Sequence, residues 1–113
     1  MNYAIIGSRG FANYEMLNIV CEKLIRSTDT IVSGGAKGAD SLAKRYAYEH
    51  QVNYIEFPAD WNQYGKRAGY IRNQEIIDNS DFVIAFWDCI SPGTKHSLEL
   101  AKLSRKPTLI VYY

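Results

Sequence analysis

Short apolar runs alternate along this chain with longer amphipathic segments. Tyr3–Ile6, Thr30–Ser33, Asn53–Phe57, Phe82–Phe86 and Thr108–Tyr112 are rich in Ile, Val, Tyr and Phe. Runs of this length and type fit strands of a parallel sheet buried on both faces. Between them, Leu17, Val20, Cys21, Leu24 and Ile25 fall at i, i+3, i+4, i+7 and i+8, and Ala39, Leu42, Ala43, Tyr46 and Ala47 repeat the spacing. Each set forms one apolar stripe on a helix. A third helix is predicted over Arg67–Asn79 and a fourth over Lys95–Ser104, with Pro107 breaking the chain before the last strand. The order βαβαβαβαβ, without linker or repeat, predicts an α/β fold of three layers. Its five-stranded, mostly parallel sheet would run in the order 3-2-1-4-5 with helices on both faces, in one domain over residues 1–113.

In such a sheet, ligands bind beyond the carboxyl ends of the strands, where the winding reverses. The loops after strands 1, 2 and 4 should meet there. The first, Gly7-Ser8-Arg9-Gly10-Phe11, combines glycines that allow close backbone approach with an arginine able to fork a phosphate. It lacks the dinucleotide fingerprint, because Arg9 and Ala12 stand where the second and third glycines belong and Ser33 replaces the acid at the end of strand 2. No nicotinamide or other cofactor is therefore expected.

The second loop, Ser33-Gly34-Gly35-Ala36-Lys37-Gly38-Ala39-Asp40, places three glycines and a lysine at the mouth of a helix, a pattern for an anion nest of backbone amides. Asp40 reads as a helix-start carboxylate or as a ligand to ribose hydroxyls. The third loop ends in Ser91-Pro92-Gly93-Thr94, with Thr94 expected as the N-cap and Gly93 opening access to the first amides. The connection from Pro58 to Lys66 carries Asp60, Trp61, Tyr64 and Lys66 and leads into Arg67, Arg72 and Asn73, so Trp61 either stacks a base or folds back on the core. Arg72 either contacts the ligand or pairs with Glu75 on the helix surface.

Composition narrows the partners. A formal net charge of +1 argues against binding of nucleic acid through bulk electrostatics. No apolar run approaches the ~20 residues that span a bilayer, so no membrane partner is expected. Cys21 and Cys89 lie far apart, without metal-ligand spacing and without an export signal, which fits a reducing cytoplasm and no metal site. Nine tyrosines exceed what a small core needs and point to a binding surface or an oligomer contact.

Taken together, Gly7–Phe11, Ser33–Asp40, Arg72-Asn73 and Ser91–Thr94 resemble the SLOG superfamily, most closely its small YspA-type members. That group is Rossmann-like and related to the Lonely Guy (LOG) phosphoribohydrolases and to the DNA-processing protein DprA. The resemblance implies binding of a phosphorylated nucleotide or nucleotide-derived molecule, such as an ADP-ribose-type ligand, by a homodimer or higher oligomer acting as a sensor or sequestering module. The alternative it implies is hydrolysis of the N-glycosidic bond of a nucleoside 5′-monophosphate.

For that alternative Arg72 matches the LOG arginine, and Glu99 is the first acid after Gly93-Thr94, further along than the LOG motif places its glutamate. The shift turns the carboxylate to a different side of the helix. Asp40, Asp60 and Glu75 are the other candidate acids. The binding candidates are Gly7, Ser8, Arg9, Ser33, Gly34, Gly35, Ala36, Lys37, Gly38, Asp40, Trp61, Asn73, Gly93 and Thr94. A DprA-like reading, as a single-strand DNA binder, is set aside here because near-neutral net charge offers no electrostatic groove.

Overall fold

The computed structural model describes residues 1–113. Five strands, β1 (Asn2–Gly7), β2 (Thr30–Ser33), β3 (Asn53–Glu56), β4 (Phe82–Trp87) and β5 (Thr108–Tyr112), form one sheet in the order β3-β2-β1-β4-β5. Every neighbouring pair is parallel, with Ile5 beside Ile84 and Val32 beside Ile55. The chain winds outward from β1 to β3, then crosses back to β4 and β5. The reversal therefore lies between β1 and β4. These two strands are buried along their middles, whereas edge strands β3 and β5 keep Ile55 and Leu109 exposed.

Helices α1 (Tyr14–Leu24) and α2 (Ala39–His50) cover one face and bring Leu17, Cys21, Ala43 and Tyr46 onto Ile5, Ile31, Ile84 and Phe86. On the other face, α4 (Ala68–Asp78) and α5 (Pro92–Leu103) lay Ile76, Ile77 and Ala101 on Ala4, Ile6, Val32, Val83 and Ala85. Successive strand residues point to opposite faces, so β1 alternates between the two cores with each step. Burial drives the Cys21 thiol up to about 12, so it remains a neutral core group.

Two expected boundaries shift. Helix α5 starts at Pro92 rather than Lys95, because proline suits the first helical position, where its missing N–H leaves no bond unmade. Thr94 is consequently not the N-cap but a buried residue of the first turn, and Ser91 takes the cap position. The predicted third helix starts at Ala68, preceded by a one-turn helix α3 (Trp61–Tyr64) and a 3₁₀ turn over Gly65–Arg67. Asp60 caps α3 by accepting from the Gln63 N–H at 3.1 Å.

The loops after β1 and β2 are clamped together at Gly38. This residue has φ of +79°, and a Cβ there would lie 2.4 Å from the Ser8 carbonyl oxygen and 2.5 Å from that of Arg9. Gly38→Ala is expected to destabilise the protein by about 1–3 kcal/mol, from left-handed strain plus a backbone clash. A urea-denaturation midpoint equal to that of the wild type would contradict this.

Candidate functional site

A cleft of about 510 Å³ opens at the carboxyl edge of the sheet, over the β1–β4 reversal. One side is the loop after β1, with Gly7, Ser8, Arg9 and Gly10. The opposite side is the first turn of α5, with Pro92, Gly93, Thr94 and Ser97. The third wall comes from α3 and α4, through Trp61, Lys66, Tyr70, Arg72 and Asn73. Ala36 and Asp40 close the remaining side.

The first loop is held rigidly from beneath. Ser8 is buried, donates its N–H to the Phe86 carbonyl at 3.0 Å, and accepts from the Asp88 N–H through Oγ at 3.3 Å. Asp88 in turn accepts from the N–H groups of Ile90 and Ser91, at 2.9 and 2.8 Å. Those bonds to its ionised form pull its carboxyl down to about 2. This web ties the loops after β1 and β4 together and leaves Arg9 exposed at the cleft mouth.

Arg72 crosses the site from α4. Its Nη1 donates to the Gly34 carbonyl at 2.8 Å and its Nε to Asn73 Oδ1 at 3.1 Å. Pairing with Glu75 on the outer helix surface does not occur. Asn73 is buried and reaches α5, with its amide nitrogen 3.4 Å from the Gly93 carbonyl and 3.2 Å from His96 Nδ1. The remaining guanidinium nitrogen of Arg72 makes no protein hydrogen bond, and the residue lines the cleft as a cation already oriented.

Trp61 and Tyr70 line the same wall and are both more than half exposed, at 53% and 55%. Trp61 does not fold into the core; its ring lies over Gly69, where a Cβ would come within 3.5 Å of it. Exposed aromatic faces beside cations are the elements that stack nucleobases and hold the linking phosphates.

Sequence reasoning placed an anion nest in the loop after β2, and the structure puts the protein's own carboxylate there. The Ala36 N–H donates to Asp40 Oδ2 at 3.3 Å. Burial raises the Asp40 carboxyl to about 6, partly offset by that amide and by the positive charge of Arg72. The glycines of this loop serve internal packing. Gly34 lets the Arg72 guanidinium approach its Cα, and Gly35 turns beside the Glu56 carboxylate. Ser33 is buried and donates its hydroxyl to the Ile5 carbonyl at 2.8 Å. Lys37 is exposed, and Ser33, Gly34, Gly35, Lys37 and Gly38 all lie outside the cleft lining.

Of the residues singled out from sequence, Gly7, Ser8, Arg9, Ala36, Asp40, Trp61, Arg72, Asn73, Gly93 and Thr94 come together. Glu99 does not. It is exposed on α5, outside the cleft lining, and borders an adjoining shallow depression with Tyr70, Pro92, Lys95 and His96. Tyr70 and Ser97 were missed. Ser97 follows Thr94 by three residues and shares its helix face, a periodicity that could have found it. No cluster of three His, Cys, Asp or Glu side chains gathers where it could hold a metal ion.

This fold and this crevice define a Rossmann-like protein with a cationic, aromatic-walled site at its switch point. The model of the YspA, cpYpsA-related SLOG family matches residues 2–64, and the chain belongs to that family. Among curated proteins it is similar to the Gene 61 protein of Mycobacterium phage D29, 36% identical over 85 residues, which span 70% of this chain and 68% of that protein. Among solved structures it is similar to DNA processing protein A from Helicobacter pylori, with a TM-score of 0.78 and 25% identity. That similarity covers 97% of this chain, and this chain spans 64% of the other. The structure of that protein was described for its single-stranded DNA binding mode.

This relationship corrects two expectations. The solved neighbour binds single-stranded DNA, against both the reading of a nucleotide-sensing or nucleotide-hydrolysing module and the exclusion of a nucleic-acid partner. Net charge averages over the whole surface and does not report a local cluster. Arg9, Lys66 and Arg72 share one cleft with Asp40 as its only acidic lining residue.

Asp40 also yields a pH signature. Its folded value lies above the ordinary 3.8, so the folded state holds the proton more tightly than the unfolded chain. Its contribution therefore favours folding below pH 4, is lost as pH rises to about 6, and is level beyond, a change of about 3 kcal/mol. Subtracting the Asp40→Asn stability profile from that of the wild type is expected to give this falling difference. A flat difference between pH 4 and 6 would refute the buried carboxylate.

Proposed function

We propose that the cleft binds single-stranded nucleic acid, most simply single-stranded DNA. Arg9, Lys66 and Arg72 hold the phosphates, while Trp61 and Tyr70 stack the bases. The observation that carries this reading is the meeting of three cations and two exposed aromatic rings in one crevice. Each part has a separate physical task. The cations release counterions from the backbone, and the rings offer flat apolar faces to any base. The likeness to the single-stranded DNA-binding protein of Helicobacter pylori supports the same partner. A duplex fits poorly, since its bases are stacked inside and unavailable to Trp61 and Tyr70.

The first turn of α5 adds to the grip. Gly93 has no side chain and nothing lies within 4 Å of where its Cβ would be, so a phosphate oxygen has free access to the start of the helix. Thr94 and Ser97 offer hydroxyls on the same wall. Asp40 sets a limit on charge. It opposes a phosphate placed at Ala36 and so directs the backbone towards Arg9 and Lys66.

Fluorescence anisotropy with a labelled oligothymidylate tests the proposal. The three cations of the cleft predict a contribution of about −2 to the slope of log K against log salt. Arg72→Ala should weaken binding by about tenfold or more and make the slope shallower by about 0.7. Trp61→Ala should cost a similar factor without altering the slope, since stacking carries no charge. Absence of binding at low salt, or equal affinity of wild type and Arg72→Ala, would refute the proposal.

A further inference from the structure

Beside the cleft, on the outer side of α5, lies a depression of about 410 Å³ bordered by Tyr70, Pro92, Lys95, His96 and Glu99. Tyr70 and Pro92 line both spaces, so the two sites are contiguous and Tyr70 stands at the boundary. Its ring is braced by the His96 imidazole, with centroids 4.5 Å apart and planes at 75°. That edge-to-face contact holds the phenol in place while more than half of it remains exposed.

The hydrogen-bond network fixes the chemistry that His96 presents. Asn73 Oδ1 accepts from Arg72 Nε, so the Asn73 amide nitrogen is the atom facing His96 Nδ1. That nitrogen only donates, and Nδ1 must therefore be the bare acceptor. The neutral imidazole then carries its proton on Nε2, on the opposite side of the ring from Asn73. The depression thus presents an N–H from His96, an ammonium from Lys95, a hydroxyl from Tyr70 and a carboxylate from Glu99.

From this geometry we infer that the depression is a second nucleotide subsite, which takes the next residue of a strand whose neighbour occupies the cleft. This extends the single-strand reading above and rests on it. The strand passes over Pro92 and packs its second base against Tyr70. Lys95 takes the following phosphate. His96 Nε2–H and Glu99 meet the polar edge of the base, where the carboxylate accepts from a ring N–H such as thymine N3–H or from an exocyclic amino group. Glu99 thereby has a role away from the main cleft that its position could not give it inside.

A length series separates this inference from the reading beneath it. Thymidine 5′-phosphate, as a one-nucleotide competitor, reports the cleft alone, and an eight-nucleotide oligothymidylate reports cleft and depression together. Lys95→Ala is expected to weaken binding of the eight-nucleotide strand by about five- to tenfold and to leave competition by the single nucleotide unchanged. Lys95→Ala should also make the salt slope of the longer strand shallower by about 0.7. If Arg72→Ala impairs the longer strand while Lys95→Ala binds it as wild type does, the cleft reading stands and the second subsite is overturned. Equal losses on both probes with Lys95→Ala would place Lys95 in the cleft's own binding and would also overturn the subsite. Failure of the longer strand to bind the wild type would overturn both readings.

Discussion

Arg72 is the point on which the site depends. It reaches from α4 on one face of the sheet to the Gly34 carbonyl at the end of β2, and it holds Asn73, which in turn grips α5. One guanidinium thereby ties the strand-2 loop to both helices of the second layer. Its rigid fork allows this, because separate N–H groups leave in fixed directions while the charge remains available to the crevice. A lysine would supply the charge without the geometry. Asp40 answers that charge from the first turn of α2 and occupies the amides that a glycine-rich loop would otherwise offer to an outside anion.

The arrangement divides labour among the three glycine-bearing loops. The loop after β1 and the start of α5 face the crevice and remain open, while the loop after β2 is spent on internal contacts. Glycine richness has two physical origins, access for a ligand and access for the protein's own groups, and the residues alone do not distinguish them. Gly34 and Gly38 belong to the second kind here, filled by Arg72 and by the Ser8 and Arg9 backbone.

Charge follows the same logic. Thirteen lysines and arginines against twelve acids leave the chain nearly neutral, yet a strand sees only the charges within about a Debye length of its path. Clustering matters more than the total.

The succession of strands and helices, the strand order and the switch point were legible in the sequence, because parallel strands, amphipathic stripes and right-handed crossovers leave few topologies open. So was the arrival in the cleft of Arg9, Trp61 and Gly93, which lie on loops or helix starts that this topology must bring to one edge, whereas Arg72 reaches it from within α4 by the length of its side chain. Tertiary structure alone decided the rest. It turned Asp40 inward, moved the start of α5 to Pro92, set Tyr70 between the cleft and the adjoining depression and carried Glu99 out of the cleft. Those outcomes depend on which group reaches a shared space first, a matter of side-chain direction and packing across elements distant in sequence. Periodicity determines which face a residue occupies, but not what already fills the space in front of it.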